Sequence, residues 1–233
     1  MKYIIVGLGN FGSSLGMALT SKGHEVIAID SSMQKVEAYK EMISHTICMD
    51  ATDEYAVKGL PIVDTDMVIV AIGEDQGENV MATALFKTLK AKRLISRSIN
   101  PLHEKVLQAI GVDDLIHPEK EAAKRWAKRL SLRYFVDSFE LSDHFSMVEI
   151  SIPIALIGRT VGDLQLEQNF NIRLLSTMRY EYYEDSFGRT QRKPSIQGLA
   201  MPEQVLKDKD VLIIYGANKH INQFLRSVGV KIK

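Results

Sequence analysis

Apolar positions follow two rhythms along the first half of the chain. Short continuous apolar runs alternate with stretches in which apolar residues recur three and four apart. The runs predict buried strands at residues 3–6, 26–29, 46–49, 67–72, 94–97 and 115–116. Between them, Leu15, Ala18 and Leu19 form one helical stripe, and Val80, Ala84, Leu85 and Leu89 another. Val106, Leu107 and Ile110 form a third, with Gly111 as its stop. Six short strands with five intervening helices predict an α/β fold with a doubly wound parallel sheet. Right-handed crossovers then set a ligand crevice at the strand C-termini.

The pattern changes after residue 118. Residues 119–135, EKEAAKRWAKRLSLRYF, predict one long helix. Ala122, Ala123, Trp126, Leu130 and Tyr134 share an apolar side, and basic residues cover the other. Either this helix packs on its own sheet, or it leaves the first domain and packs on a partner, for which Trp126 suits as an anchor. Beyond it, strands are expected at 136–141, 146–152, 172–179 and 210–215, and short helices at 161–167 and 219–227. Residues 180–195 are polar and turn-rich and read as a loop or mobile hairpin. The expected division is a doubly wound domain at 1–118, a connecting helix at 119–135, and a small α+β domain at 136–233.

Candidate chemistry lies at the first strand-to-helix junction. Gly7, Gly9 and Gly12 stand in G-x-G-x-x-G spacing, and the next apolar run ends in Asp30. Gly7 permits a tight turn, Gly9 lets backbone approach a phosphate, and Gly12 lets helix and strand pack closely. The helix N-terminus offers unpaired N–H groups and a positive dipole end to anionic oxygens. Asp30 is placed to accept hydrogen bonds from ribose hydroxyls, and it would repel the 2′-phosphate of NADP. This combination makes the sheet Rossmann-like.

Charge and composition mainly exclude. Of 233 residues, 29 are Lys or Arg and 29 are Asp or Glu, so the net charge is zero. That argues against nucleic-acid binding by bulk electrostatics. No apolar stretch is long enough to span a bilayer, so direct membrane insertion is not expected. The apolar start runs into the glycine turn and reads as a strand, not a signal peptide. Cys48 is the only cysteine, which rules out an intramolecular disulfide and fits a reducing cytoplasm. It reads as a buried strand thiol. Three histidines, His24, His45 and His103, look like turn or strand-end residues, and none of the six makes an H-E-x-x-H pair. An NAD-dependent oxidoreductase would need a proton donor, yet Tyr55 and Lys58 are only three apart and no Y-x-x-x-K pair occurs. Neither a G-K-[ST] phosphate loop nor a G-x-S-x-G elbow is present. A redox-sensing repressor would need a helix-turn-helix, and none is evident. No enzyme is therefore expected.

Several stretches together resemble the RCK domain, the regulator of potassium conductance. They are VGLGNFG at 6–12, GHEVIAID at 23–30, DAT at 50–52, VIVAIG at 68–73 and LIHPEKEAA at 115–123. ELSDHFSMVEI at 140–150 and LKDKDVLIIYG at 206–216 resemble the start and end of the family's C-terminal domain. The nearest likeness is to cytosolic regulatory subunits of Ktr- and Trk-type potassium transporters. It covers nearly the whole chain and loosens in the middle of the C-terminal domain. The resemblance implies an adenine nucleotide (ATP, ADP or AMP) or NAD(H) as ligand. Gly7, Gly9 and Gly12 would face its phosphates, with Asn10 and Phe11 in the same turn, and Arg97 would reach them. Asp30 would hold the ribose, with Ser31 beside it. Asp50, Ala51 and Thr52 would line the adenosine end, and Ala71, Ile72 and Gly73 the strand end next to the nucleotide. Glu119 matches a carboxylate that in some members binds a divalent cation, Mg²⁺ or Ca²⁺. The implied partner is a membrane potassium-translocating subunit, which would hold a cytoplasmic homodimer, or an octameric ring of dimers, at the inner face of the membrane.

Two positions depart from the family's pattern. ATP-responsive relatives carry arginine where this chain has Asn10. Asparagine is neutral and shorter and cannot pair with a γ-phosphate, which moves the expectation toward ADP, AMP or NAD(H). Firmicute relatives bind cyclic di-AMP through an arginine shortly after a D-L pair. Here Asp163 and Leu164 are followed by Gln165, Leu166 and Glu167, and Glu167 would repel a phosphate. Arg173 is the substitute on offer, and cyclic di-AMP binding is not expected.

Overall fold

The apolar runs pair into a parallel sheet. In a computed structural model, which describes residues 1–131, 135–185 and 188–230, the first five crossovers alternate regularly. The elements are β1 (Lys2–Val6), α1 (Asn10–Ser21), β2 (Glu25–Asp30), α2 (Met33–Tyr39), β3 (His45–Cys48) and α3 (Glu54–Lys58). Then come β4 (Met67–Val70), α4 (Gln76–Thr88), β5 (Leu94–Arg97), α5 (Pro101–Ile110) and β6 (Asp114–Ile116). The strand order is β3-β2-β1-β4-β5-β6, with every pairing parallel. The order reverses at β1 and β4, so the connections after these two strands diverge and open a crevice at their C-terminal ends. Alternate residues of β1 feed opposite faces: Ile4 and Val6 pack with Ala82 and Phe86, whereas Tyr3 and Ile5 pack with Val36 and Ile43.

Two helices present faces that differ from their large apolar stripes. α1 turns Gly12, Ser13 and Gly16 inward; Leu15 and Leu19 are half-buried and Ala18 is exposed. Close approach is the reason. A Cβ on Gly16 would stand 2.8 Å from Ile43 Cδ1. α4 buries Asn79, Ala82, Thr83 and Phe86, with Val80, Ala84, Leu85 and Leu89 half-buried beside them. In α5, Leu107 is buried and Val106 is exposed, and Gly111 ends the helix in the left-handed region at φ 87°. His103 is not at a turn or strand end. It lies buried in α5, where desolvation holds its imidazole below the usual pKa. Cys48 closes β3 half-buried rather than buried, with its thiol 3.5 Å from the Ser31 carbonyl.

The chain divides into two compact units, Met1–Lys120 and Glu121–Lys233. The division falls inside α6 (Pro118–Ser131). Trp126 and Leu130 on this helix are 54% and 78% exposed. Tyr134 lies outside the described residues. The second unit holds β7 (Phe135–Glu140), β8 (Phe145–Ser151), α7 (Leu166–Phe170), β9 (Ile172–Glu184), β10 (Thr190–Ile196), β11 (Val211–Ala217) and α8 (Asn218–Ser227). Its strands form an antiparallel sheet in the order β10-β9-β11-β8-β7. Leu174, Leu212 and Ile214 of this sheet pack with Phe224 and Leu225 of α8. Residues 180–195 are not a loop. They extend β9 and pair it with β10, setting Tyr182 opposite Arg192 and Tyr180 opposite Pro194. The Arg192 guanidinium lies over the Tyr180 ring, 4.5 Å from its centroid. No helix among the described residues is long and apolar enough to cross a membrane.

Candidate functional site

The three glycines of the first turn do three different jobs. Gly7 has φ +100°, and a Cβ there would stand 3.1 Å from the Ile72 nitrogen. On Gly12 a Cβ would fall 1.9 Å from the Gly7 carbonyl oxygen, so only glycine lets α1 sit this close to β1. Gly9 has nothing within 4 Å of its Cβ position. It faces open space and caps α1 with no side-chain hydrogen bond. The first-turn N–H groups of α1 therefore point into that space with the positive end of the helix dipole behind them. Asn10 is exposed at its rim, whereas the Phe11 ring packs with the core around Ile5 and Leu8.

Asp30 ends β2 and is buried. Its Oδ2 accepts from Leu8 N–H at 2.7 Å and its Oδ1 from Ser32 N–H at 2.9 Å. Lys35 Nζ stands 3.7 Å from Oδ2. The carboxylate thus ties the glycine turn to the β2 end and keeps unused lone pairs for another donor. Ser31 beside it is exposed. After β3, Asp50 Oδ1 accepts from both the N–H and the hydroxyl of Thr52, at 2.8 and 2.7 Å. These bonds, the hydroxyl's first, hold the Asp50 carboxyl below its usual range. Ala51 between them is buried.

The β4 and β5 ends complete the row. Ala71 is buried, and Ile72 and Gly73 are half-buried. Arg97 lies directly on Gly73: a Cβ at residue 73 would fall 2.1 Å from Nη1 and 2.4 Å from Cζ. Nη1 donates to the Ala71 carbonyl at 3.4 Å, Nη2 pairs with Glu119, and Nε is buried without a partner among the described residues. Behind them, the fully buried Asn79 of α4 donates to the Ile72 carbonyl at 2.9 Å and the Arg97 carbonyl at 3.3 Å. Its Oδ1 accepts from the Ser96 hydroxyl at 3.0 Å, and Ser96 meets the Thr83 hydroxyl at 3.0 Å. Apart from Asn79 and Thr83 of α4, the residues in this row stand at or just after the C-terminal end of a parallel strand, so the topology gathers them along one edge.

Residues 3–118 match the TrkA-N domain. Over 227 residues the chain is 34% identical to Ktr system potassium uptake protein C of Bacillus subtilis, covering 97% of both chains. It is 31% identical to Ktr system potassium uptake protein A of the same bacterium, covering 96% of this chain and 95% of that one. The chain belongs to the Ktr potassium uptake protein family. In fold, the Ktr-family chain is similar to the GsuK RCK domain, with a TM-score of 0.66 at 15% identity over 98% of its length. It is also similar to the GsuK channel bound to NAD, with a TM-score of 0.64 at 16% identity. It spans 47% of the former chain and 39% of the latter. At these identities the likeness is one of fold.

Within this Ktr-family site the expected cation ligand has a different partner. The Glu119 carboxylate is paired with Arg97, and among the described residues no three His, Cys, Asp or Glu side chains converge. In the second unit, Arg173 Nε lies 2.6 Å from Glu167 Oε1. The substitute cation and the repelling anion noted in the sequence thus neutralise each other. The sequence pattern did not point to Asn79, Thr83, Ser96 or Lys35. A signal existed for two of them: Asn79 and Thr83 stand four apart on α4, between its apolar positions.

Proposed function

We propose that this chain is a nucleotide-sensing regulatory subunit of a potassium uptake system, with an adenine nucleotide or NAD(H) in the crevice of the first unit. One observation carries the reading. The uncapped start of α1 faces open space over Gly9, and the buried Asp30 carboxylate stands beside it at the point where strand order reverses. In this assignment the α1 N-terminus takes phosphate oxygens, Asp30 the ribose, residues 50–52 the adenosine end, residues 71–73 the strand edge, and Arg97 a phosphate. Asn10 offers no charge to a γ-phosphate, so ADP, AMP and NAD(H) rank above ATP. We assign residues 1–118 to the nucleotide domain, 119–135 to a connecting segment that holds most of α6, and 136–233 to a C-terminal domain. The partner is a membrane potassium-translocating subunit, on whose cytoplasmic side the chain docks as a homodimer or ring of dimers. Kinship with two potassium uptake proteins over almost their full lengths supports this partner. The role asks for no catalytic group. Nucleotides regulate only if they favour different arrangements, because equal affinity shifts nothing.

A thermal-shift screen with ATP, ADP, AMP, NAD⁺ and NADH tests the reading. A ligand at 100 times its dissociation constant adds about 2.7 kcal/mol of stability. Asp30→Ala should weaken every adenosine ligand by about 1.5–3 kcal/mol, the range for hydrogen bonds to a charged group. It should also lower the ligand-free melting point, since Leu8 and Ser32 lose an acceptor. Unchanged calorimetric affinity for all five nucleotides would remove Asp30 from the site.

A further inference from the structure

We infer that Glu119 competes internally with a ligand phosphate for Arg97 and thereby sets which ligands the crevice accepts; this rests on the nucleotide reading above. The two partners are unequal. The Arg97 side chain is only 16% exposed and is seated on Gly73, whereas that of Glu119 is 67% exposed. A seated guanidinium still has five N–H groups to satisfy. Among the described residues Nη1 reaches only a long contact to the Ala71 carbonyl and Nε has none, so Glu119 is the anionic acceptor this fork has found. A carboxylate so exposed returns to water at small cost. A phosphate matches the planar fork and brings comparable or greater charge. Arg97 therefore stays and its anion is exchanged. A ligand whose phosphate reaches Arg97 must displace Glu119, and a ligand without a phosphate leaves the pair intact. Gly73 enters the same device as a positioning residue, because any side chain there would push the guanidinium off its seat.

The test is calorimetry on the full chain with ADP and adenosine, each with EDTA and with Mg²⁺. In EDTA, Glu119→Gln should bind ADP about two- to fivefold more tightly than wild type, the worth of a partly exposed ion pair. Adenosine affinity should not change. In an Arg97→Gln background, adding Glu119→Gln should give no gain. If Arg97→Gln does not fold, the comparison of Glu119→Gln with wild type decides alone. Equal or weaker ADP binding by Glu119→Gln, or an equal gain for adenosine, overturns the competitor role. So does ADP binding that needs Mg²⁺ in wild type and is lost in Glu119→Gln, which would make Glu119 a cation ligand. If wild type and all variants fail to bind ADP, the nucleotide reading falls and takes this inference with it.

Discussion

Single atoms separate folding from binding in the first turn. A methyl group on Gly12 would overlap the Gly7 carbonyl, whereas one on Gly9 would meet nothing. Gly9 has φ −67°, which any residue adopts. Gly12→Ala should therefore cost about 1–3 kcal/mol or more in urea unfolding, the range for overpacking. Gly9→Ala should stay within about 0.5 kcal/mol of wild type, as for an unconstrained surface position. Nucleotide affinity should fall in Gly9→Ala, because the methyl group occupies the space proposed for a phosphate. Equal affinity of Gly9→Ala and wild type by calorimetry would mean that no ligand comes close to that backbone. The sequence spacing already named these glycines, but it did not show that Asp30 spends two hydrogen bonds on Leu8 and Ser32. Backbone donors carry no residue signature, so such a tie is invisible until the turn is folded. The Arg97–Glu119 pair was hidden for another reason: its members are 22 positions apart and meet only through tertiary packing.

Among elements, legibility followed solvent. The central strands of the first sheet, β1, β2, β4 and β5, read clearly because most of their residues are buried on both faces and appear as apolar runs. The β9–β10 hairpin stood only as one of two alternatives beside a loop, because Tyr182, Tyr183 and the charged residues around them are exposed, which removes the alternation that marks a half-buried strand. α1 and α4 were placed correctly but rotated, since small and polar residues face their sheet. In the second sheet, Asp137 of β7 stands directly opposite Glu149 of β8, and Arg125 of α6 is paired with Asp137. Burial first, and the Asp137 charge second, hold the Glu149 carboxyl above its ordinary value of 4.5. A raised folded value means the native state binds the extra proton. Stability then falls as pH climbs from 4.5 through the folded value, and the penalty is complete above it. Glu149→Gln should thus stabilise the chain near neutral pH by about 0.2–1 kcal/mol, toward the lower end because the site is partly open to water. The gain should vanish below pH 4.5, and melting curves across pH show whether it does.

For the whole molecule, α6 is the element that both units share. Its first residues belong to the first unit and its remainder to the second. Trp126 and Leu130 are more than half exposed on it, an apolar display that suits contact with a second copy of the chain. Trp126→Asp should convert a wild-type dimer to a monomer by placing a charge in a desolvated contact. Light scattering reads the outcome, and a monomeric wild type would remove this face from the assembly.

The hairpin bears on the same question from the opposite side. β10 is the last strand of its sheet, flanked by β9 alone, and Pro194 stands in the middle of it. Proline has no N–H with which to continue a ladder. An edge strand with a proline in it is a poor template, which disfavours strand-by-strand growth of one sheet into another there. Wherever copies of a chain meet at high local concentration such a guard matters, because concentration favours every sticky edge equally. Any association of copies is then favoured through side-chain faces, which can be made and unmade, over the fibrous route that a single ring obstructs at this flank.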